Sequence, residues 1–347
     1  LCLWEVVNLA DRSVCCFYVE FSAENTFFHF WNLNELNAKP GQSIEYFFEI
    51  ADNDGVNGAK VTRSEIKTYQ APTQQQIAEK LAAGSESLKQ KMESTIKLAN
   101  NIEKESKKIS QNLLDKKTLN FEDKKQIEQL LAKQKQLEEA VKDIKKQNEK
   151  NTFDKEENNA LNQELKEKQK EIDNLFNNIL DEKTKELLNK LQQLMEMNNK
   201  DLTKDELSKM QMDNKSLKNE LDRILELYKQ LEFEQNLQNK IDRLDELAKK
   251  QKDLSQKTKD KNGDLNESKK KQDELNKDFK DLQKELAKLE DKNEQLEKPN
   301  DFKNPEEETK EIEKTQQESK EELNKNEKQK AAQKQQKAGE QMQQLAQ

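Results

Sequence analysis

The densest set of side-chain oxygens in this chain is Asp52-Asn53-Asp54-Gly55-Val56-Asn57-Gly58, the kind of run in which a calcium ion is sought. An EF-hand loop needs oxygens at positions 1, 3 and 5, glycine at 6 and glutamate at 12. Counted from Asp52, position 5 is Val56, position 6 is Asn57 and position 12 is Arg63. Asp52, Asp54 and Asn57 therefore stand as weak calcium candidates. A hairpin turn explains the run without a metal, because Asp-Gly and Asn-Gly tolerate positive φ. Cys2, Cys15 and Cys16 form no C-x-x-C pair, and the single histidine, His29, cannot complete a zinc set with them. Cys15 and Cys16 lie in the apolar run Val14 to Val19 and read as buried strand residues. His29, set among Phe27, Phe28 and Phe30, reads as a packed histidine with no nucleophile assigned to it. No G-x-x-x-x-G-K-[ST] occurs, and the many carboxylates alternate with lysines on solvated helix faces. No catalytic residue, cofactor or metal is assigned, and the expectation is a non-enzymatic protein.

The elements that hold these residues change character at Pro72. Before it lie both tryptophans, all three cysteines, the histidine and most aromatics; after it come mainly Lys, Glu, Gln, Asn, Asp and Leu. In Ile44-Glu45-Tyr46-Phe47-Phe48-Glu49-Ile50, alternation sets Ile44, Tyr46, Phe48 and Ile50 on one face and the glutamates on the other, as in a half-buried strand. Val14 to Phe21, Thr26 to Trp31 and Lys60 to Tyr69 also read as strands, and Lys39-Pro40-Gly41-Gln42 as a turn. Residues 1–71 are thus expected to form part of an Ig-like β-sandwich ending in a hairpin. Residues 72–298 are expected to form a coiled-coil rod of antiparallel helical hairpins. Residues 299–347 are a loop followed by a polar helix or disordered tail, with fraying or disorder expected from Gln316 onward. The fold class is mainly α after a small all-β segment.

Three stretches alternate spacings of three and four, the 3.5-residue period of a helix-pairing seam. They are Ile127, Leu130, Gln134, Leu137, Val141 and Ile144; Leu207, Met210, Asn214, Leu217, Leu221, Ile224, Tyr228 and Leu231; and Leu275, Phe279, Leu282, Leu286, Leu289, Asn293 and Leu296. Gln134 and Asn214 are polar seam positions of the kind that fix register. Asn120, Thr152 and Asp181 read as N-caps, Thr203 with Glu206 as a capping box, and Gly263 as a break, giving six or seven helices. A continuous helix from Thr203 to about Lys259 spans on the order of 80 Å and must bury its seam against another helix. That partner is either its own chain folded back or a second copy.

With 62 basic against 70 acidic residues the chain has no basic stripe for nucleic acid. No run of about 18 apolar residues crosses a bilayer, so membrane attachment is expected only through segments outside this sequence. The start Leu1-Cys2-Leu3-Trp4 lacks a signal-peptide pattern and reads as internal to a longer protein.

The run Trp31-Asn32-Leu33-Asn34-Glu35-Leu36, Pro40-Gly41, Ile44 to Ile50 and Asp52 to Lys60 resembles a family of large bacterial membrane proteins of unknown function. That family, common in Bacteroidota, joins N-terminal transmembrane helices and an extracytoplasmic sandwich to a low-complexity Glu/Lys/Gln coil. The coil segments Leu119 to Leu131, Met210 to Lys215, Gln230 to Gln235 and Asp301 to Glu307 resemble it too. The resemblance implies the soluble extracytoplasmic part of a membrane-anchored envelope protein and brings no catalytic residues. The expected function is a coiled-coil scaffold or spacer. The alternatives are a regulatory arm of a nucleotide-driven machine whose ATPase lies elsewhere and a calcium-dependent binding module at residues 52–58.

Overall fold

The computed structural model describes residues 2–8, 14–19, 38–51, 60–158, 162–178, 183–260 and 263–347. The expected strand at Thr26–Trp31, His29 and the Asp52–Gly58 turn with its calcium candidates Asp52, Asp54 and Asn57 lie outside the described residues. The chain divides into two compact units, Leu1–Ser87 and Leu88–Gln347, and the boundary falls inside one long helix.

Among the described residues the first unit holds a five-stranded antiparallel sheet of β1 (Cys2–Asn8), β2 (Val14–Val19), β3 (Ser43–Ala51), β4 (Val61–Arg63) and β5 (Lys67–Gln70). β1 pairs with β2 on one side and β3 on the other, and β4 and β5 share the far side of β3. The run from Lys60 to Tyr69, expected as one strand, is two. Glu49 faces Arg63 while Tyr46 faces Lys67, so an extra residue is accommodated between them, as in a β-bulge. Ser64 fills the gap: its N–H donates to Phe48 O at 2.8 Å and its Oγ accepts from Phe48 N–H at 2.9 Å. The alternation on β3 also has an exception. Phe47, on the glutamate face, is buried beneath the Arg63 guanidinium 5.0 Å from its ring centre, and Arg63 also pairs with Glu49 at 2.5 Å. Gly41, at φ +79° in the turn before β3, occupies the left-handed region that glycine enters freely.

β5 ends before Ala71-Pro72, and α1 (Gln74–Asn112) starts two residues beyond the proline. Thr73 caps it reciprocally with Gln76: Thr73 Oγ1 accepts from Gln76 N–H at 3.2 Å, and Gln76 Oε1 accepts from Thr73 N–H at 2.8 Å.

Eight helices are present among the described residues, one more than the sequence count allows. After α1 come α2 (Phe121–Glu157), α3 (Gln163–Asn178), α4 (Lys183–Glu196), α5 (Lys200–Lys259), α6 (Leu265–Glu294), α7 (Glu306–Asn324) and α8 (Lys328–Leu345). Asn120 caps α2 as expected, its Oδ1 accepting from Asp123 N–H at 2.8 Å while Asp123 Oδ2 accepts from Asn120 N–H at 3.0 Å. Two other expected caps are interior residues. Thr152 lies within α2, and its Oγ1 is 3.4 Å from Asp173 Oδ1 on α3. Thr203 lies within α5, fully buried, its hydroxyl donating to Asn199 O at 2.7 Å. The true N-cap is Asn199, whose Oδ1 accepts from Leu202 N–H at 3.2 Å. Asp181 is outside the described residues, and Gly263 does lie in the break between α5 and α6.

α5 has 60 residues, about 90 Å at 1.5 Å per residue, and no single core covers it. Its first half packs with α1, α2, α3 and α4; its second half packs with α6, α7 and α8. Each half is therefore one member of a helical bundle, and α3 with α4 supplies one broken wall of the first. The expectation of a frayed or disordered tail from Gln316 is overturned. α7 and α8 are formed and packed, with Ala331, Ala332, Ala338, Ser319 and Gln335 fully buried.

Candidate functional site

Every residue of the three seams is buried except Leu217, which is partly so and packs on the first core cluster. Ile127, Leu130, Leu137 and Val141 of α2 meet Leu207 and Met210 of α5 in one cluster, together with Ile102 and Ile109 of α1, Leu113 just past its end, and Leu191 of α4. Ile144 joins Ile224, Tyr228 and Leu231 of α5, with Leu88 and Met92 of α1 and Ile172 and Phe176 of α3. Leu275, Phe279, Leu282 and Leu286 of α6 pack on Leu244, Leu247 and Leu254 of α5, with Ile312 and Met342. Leu289 and Leu296 meet Phe233. Leu221 is fully buried. The two stretches of seam in the first bundle thus face each other within one chain.

The polar seam positions meet as well. Asn214 Nδ2 donates to Gln134 Oε1 at 2.9 Å across α5 and α2, and to Met210 O at 2.8 Å. A sliding of either helix by one turn would separate the two amides and leave both buried without each other, so the pair marks one register. A second polar contact binds α2 to α3, where Asp173 Oδ1 accepts from Asn148 Nδ2 at 2.5 Å and Gln169 Nε2 at 3.0 Å. Lys155, also buried, places its ammonium 5.0 Å from the Tyr228 ring centre.

The core of the second bundle has a layer of a different kind: Gln251 from α5, Gln272 from α6, Gln316 from α7 and Gln335 from α8, each at most 1% exposed. Gln251 and Gln272 bond reciprocally at 2.9 and 3.2 Å. Gln316 Nε2 donates to Gln251 Oε1 at 3.0 Å, and Gln335 Nε2 to Gln272 Oε1 at 3.0 Å. α8 approaches α5 closely along small residues. A Cβ built on Gly339 would lie 2.7 Å from Lys252 Cγ and 3.0 Å from Ala248 O, and Ser255 Oγ donates to Ala332 O at 2.7 Å.

Between the bundles, the middle of α5 carries acids that fasten its neighbours. Glu232 pairs with Lys89 of α1 at 2.7 Å and Lys292 of α6 at 3.1 Å. Burial pushes its carboxyl pKa up, but the two ammonium groups prevail and hold it below the ordinary value. Glu234 pairs with Lys168 of α3 at 2.5 Å, and Glu226 Oε1 accepts from Glu297 N–H at 2.8 Å in the loop after α6. Glu285 takes Lys240 at 2.6 Å and Arg243 at 2.8 Å; burial raises its pKa and these cations lower it further than burial raises it. The loop is pinned by Asn293, whose Oδ1 accepts from Asn300 N–H and whose Nδ2 donates to Asn300 O, both at 2.8 Å, and by Phe302 edge-on to Phe233 at 5.7 Å.

Sequence reasoning missed the seam of α1, which runs Ser85, Leu88, Met92, Thr95, Ala99, Ile102, Ser106, Ile109 in steps of three and four and continues to Leu113 just past the helix end. A polar helix after the loop at residues 299–305 was one of the two expected forms of the tail, and α7 and α8 are helices; what went unread is their packed faces, which are mostly alanine, serine, threonine and glutamine. The signal was the spacing itself, read without requiring each position to be apolar. No group of three His, Cys, Asp or Glu placed to hold a metal ion occurs among the described residues, and no helix among them is long and apolar enough to cross a membrane. No family model, curated protein or solved structure matches the chain.

Proposed function

We propose that this chain is a non-enzymatic structural module, a helical spacer or scaffold within a membrane-anchored bacterial envelope protein. One observation carries the reading: α5 runs unbroken for 60 residues and is buried by different partners along its two halves, so it ties two bundles into one load path. Helix pairing within the chain is the mechanism, and the acids at the centre of α5 brace the junction. Filling the seams from within favours a self-contained spacer over a helix that waits for a partner strand. The envelope placement draws its support from the resemblance of Trp31 to Lys60 and of the coil segments. Small-angle scattering of the full chain tests the spacer. A maximum dimension at or above the length of α5, about 90 Å, is expected; one well below it overturns the reading. Immunoblotting of envelope and cytoplasmic fractions tests the placement, which a purely cytoplasmic signal overturns.

A further inference from the structure

We propose that the glutamine layer of the second bundle is a buried hydration site, in which internal water donates hydrogen bonds to Gln316 Oε1 and Gln335 Oε1. Both oxygens are shut off from solvent and accept no hydrogen bond from any described residue. Neither is orphaned by a misplaced amide. The Nε2 groups of these two residues are committed to Gln251 Oε1 and Gln272 Oε1, so turning either amide over would set two carbonyl oxygens against each other. No neighbouring donor reaches either oxygen. Gln251 Nε2 donates to Gln272 Oε1, and Gln272 Nε2 spends both hydrogens on Gln251 Oε1 and Asn276 Oδ1. Ser319 Oγ contacts Gln272 Oε1 at 3.2 Å and Ala331 O at 3.4 Å.

The two oxygens belong to one level of the bundle, because the amides that carry them are bonded to the reciprocal Gln251–Gln272 pair. Ser319 of α7 lying against Ala331 of α8 puts Gln316 and Gln335 at matching heights on adjacent antiparallel helices. Two buried acceptors that no protein donor reaches call for a small donor, and buried water fills that role in protein interiors. Small residues lie beside the layer: Ser319 Oγ contacts Gln272 Oε1 and Ala331 O, and Ser255 Oγ donates to Ala332 O.

Water-oxygen magnetic relaxation dispersion on the full chain counts long-lived internal waters. The wild type is expected to hold at least one more than the Gln316→Leu/Gln335→Leu double variant and than Gln316→Met/Gln335→Met, with helical circular dichroism confirming that each folds. Equal counts in wild type and a folded variant overturn the proposal. Should neither variant fold, a high-resolution crystal structure of the wild type decides. Water density within hydrogen-bond distance of each of the two oxygens supports the site, and its lack there overturns it. A crystal grown in rubidium or thallium salt that shows an anomalous peak at the layer also overturns it, in favour of a monovalent cation.

Discussion

Replacing Gly339 by alanine sets two effects against each other. In a helix interior exposed to solvent, Gly→Ala stabilises by about 1 kcal/mol because alanine loses less backbone entropy. Here the new methyl would meet Lys252 Cγ at 2.7 Å and Ala248 O at 3.0 Å. Lys252 Cγ lies near the root of its side chain, so clearing it takes a change of rotamer that also breaks the hydrogen bond from the ammonium to Gln343 Oε1, and the carbonyl moves only with the backbone of α5. Overpacking of this sort costs roughly 1–3 kcal/mol, so the variant should be less stable by about 1 kcal/mol net. Urea unfolding followed by circular dichroism measures the change, and amide hydrogen exchange in α8 locates it. Gly339→Leu should lose more. In a Lys252→Ala background the nearer obstacle is gone, and the Gly339→Ala penalty should shrink by at least about 0.5 kcal/mol, the coupling expected of residues in contact. A Gly339→Ala variant stabilised by about 1 kcal/mol, with no coupling to Lys252, would refute the close approach of α8 to α5.

Three further outcomes are expected. Gln134→Leu or Asn214→Leu alone strands a buried amide and should cost about 1–3 kcal/mol in urea unfolding, whereas the double replacement should recover most of the loss. Asn120→Ala removes the capping box of α2 and should cost about 1 kcal/mol, with faster hydrogen exchange in its first turn. For Glu232 the folded pKa lies below the ordinary value of 4.5, so its contribution is present above that pH and is lost as pH falls through the folded value. Glu232→Gln should therefore reduce stability at pH 7 and flatten the decline below about pH 4.5, measured by urea unfolding at a series of pH values.

What the sequence made legible followed from how apolar the buried positions are. The seams of α2, α5 and α6 are dominated by leucine, isoleucine and phenylalanine, so period and burial coincide. In α8 the buried face is Ala331, Ala332, Gln335, Ala338, Gly339 and Met342, and close backbone approach replaces large side chains as the source of contact. Hydrophobicity alone misses such a face. Caps were ambiguous for a related reason. Thr203 and Thr152 have the side chain of an N-cap, but a buried hydroxyl can equally bond back to the preceding turn or to a neighbouring helix, and tertiary packing chose the latter roles. The meeting of Gln134 with Asn214 was foreshadowed by two polar residues in otherwise apolar seams, while the four-glutamine layer was hidden in segments where glutamine is common.

The seams of α5 are filled by helices of the same chain, and crosslinking tests this. Zero-length carbodiimide coupling joins a lysine to a contacting carboxylate, and an equal mixture of unlabelled and 15N-labelled full-length protein reports whether both came from one molecule. Lys89–Glu232, Lys168–Glu234 and Lys240–Glu285, at 2.7, 2.5 and 2.6 Å, are the links to follow by mass spectrometry. Single-isotope products for all three are the expected result. Mixed-isotope products in the proportion of free exchange between chains would contradict the fold-back arrangement and assign the seams to an oligomer.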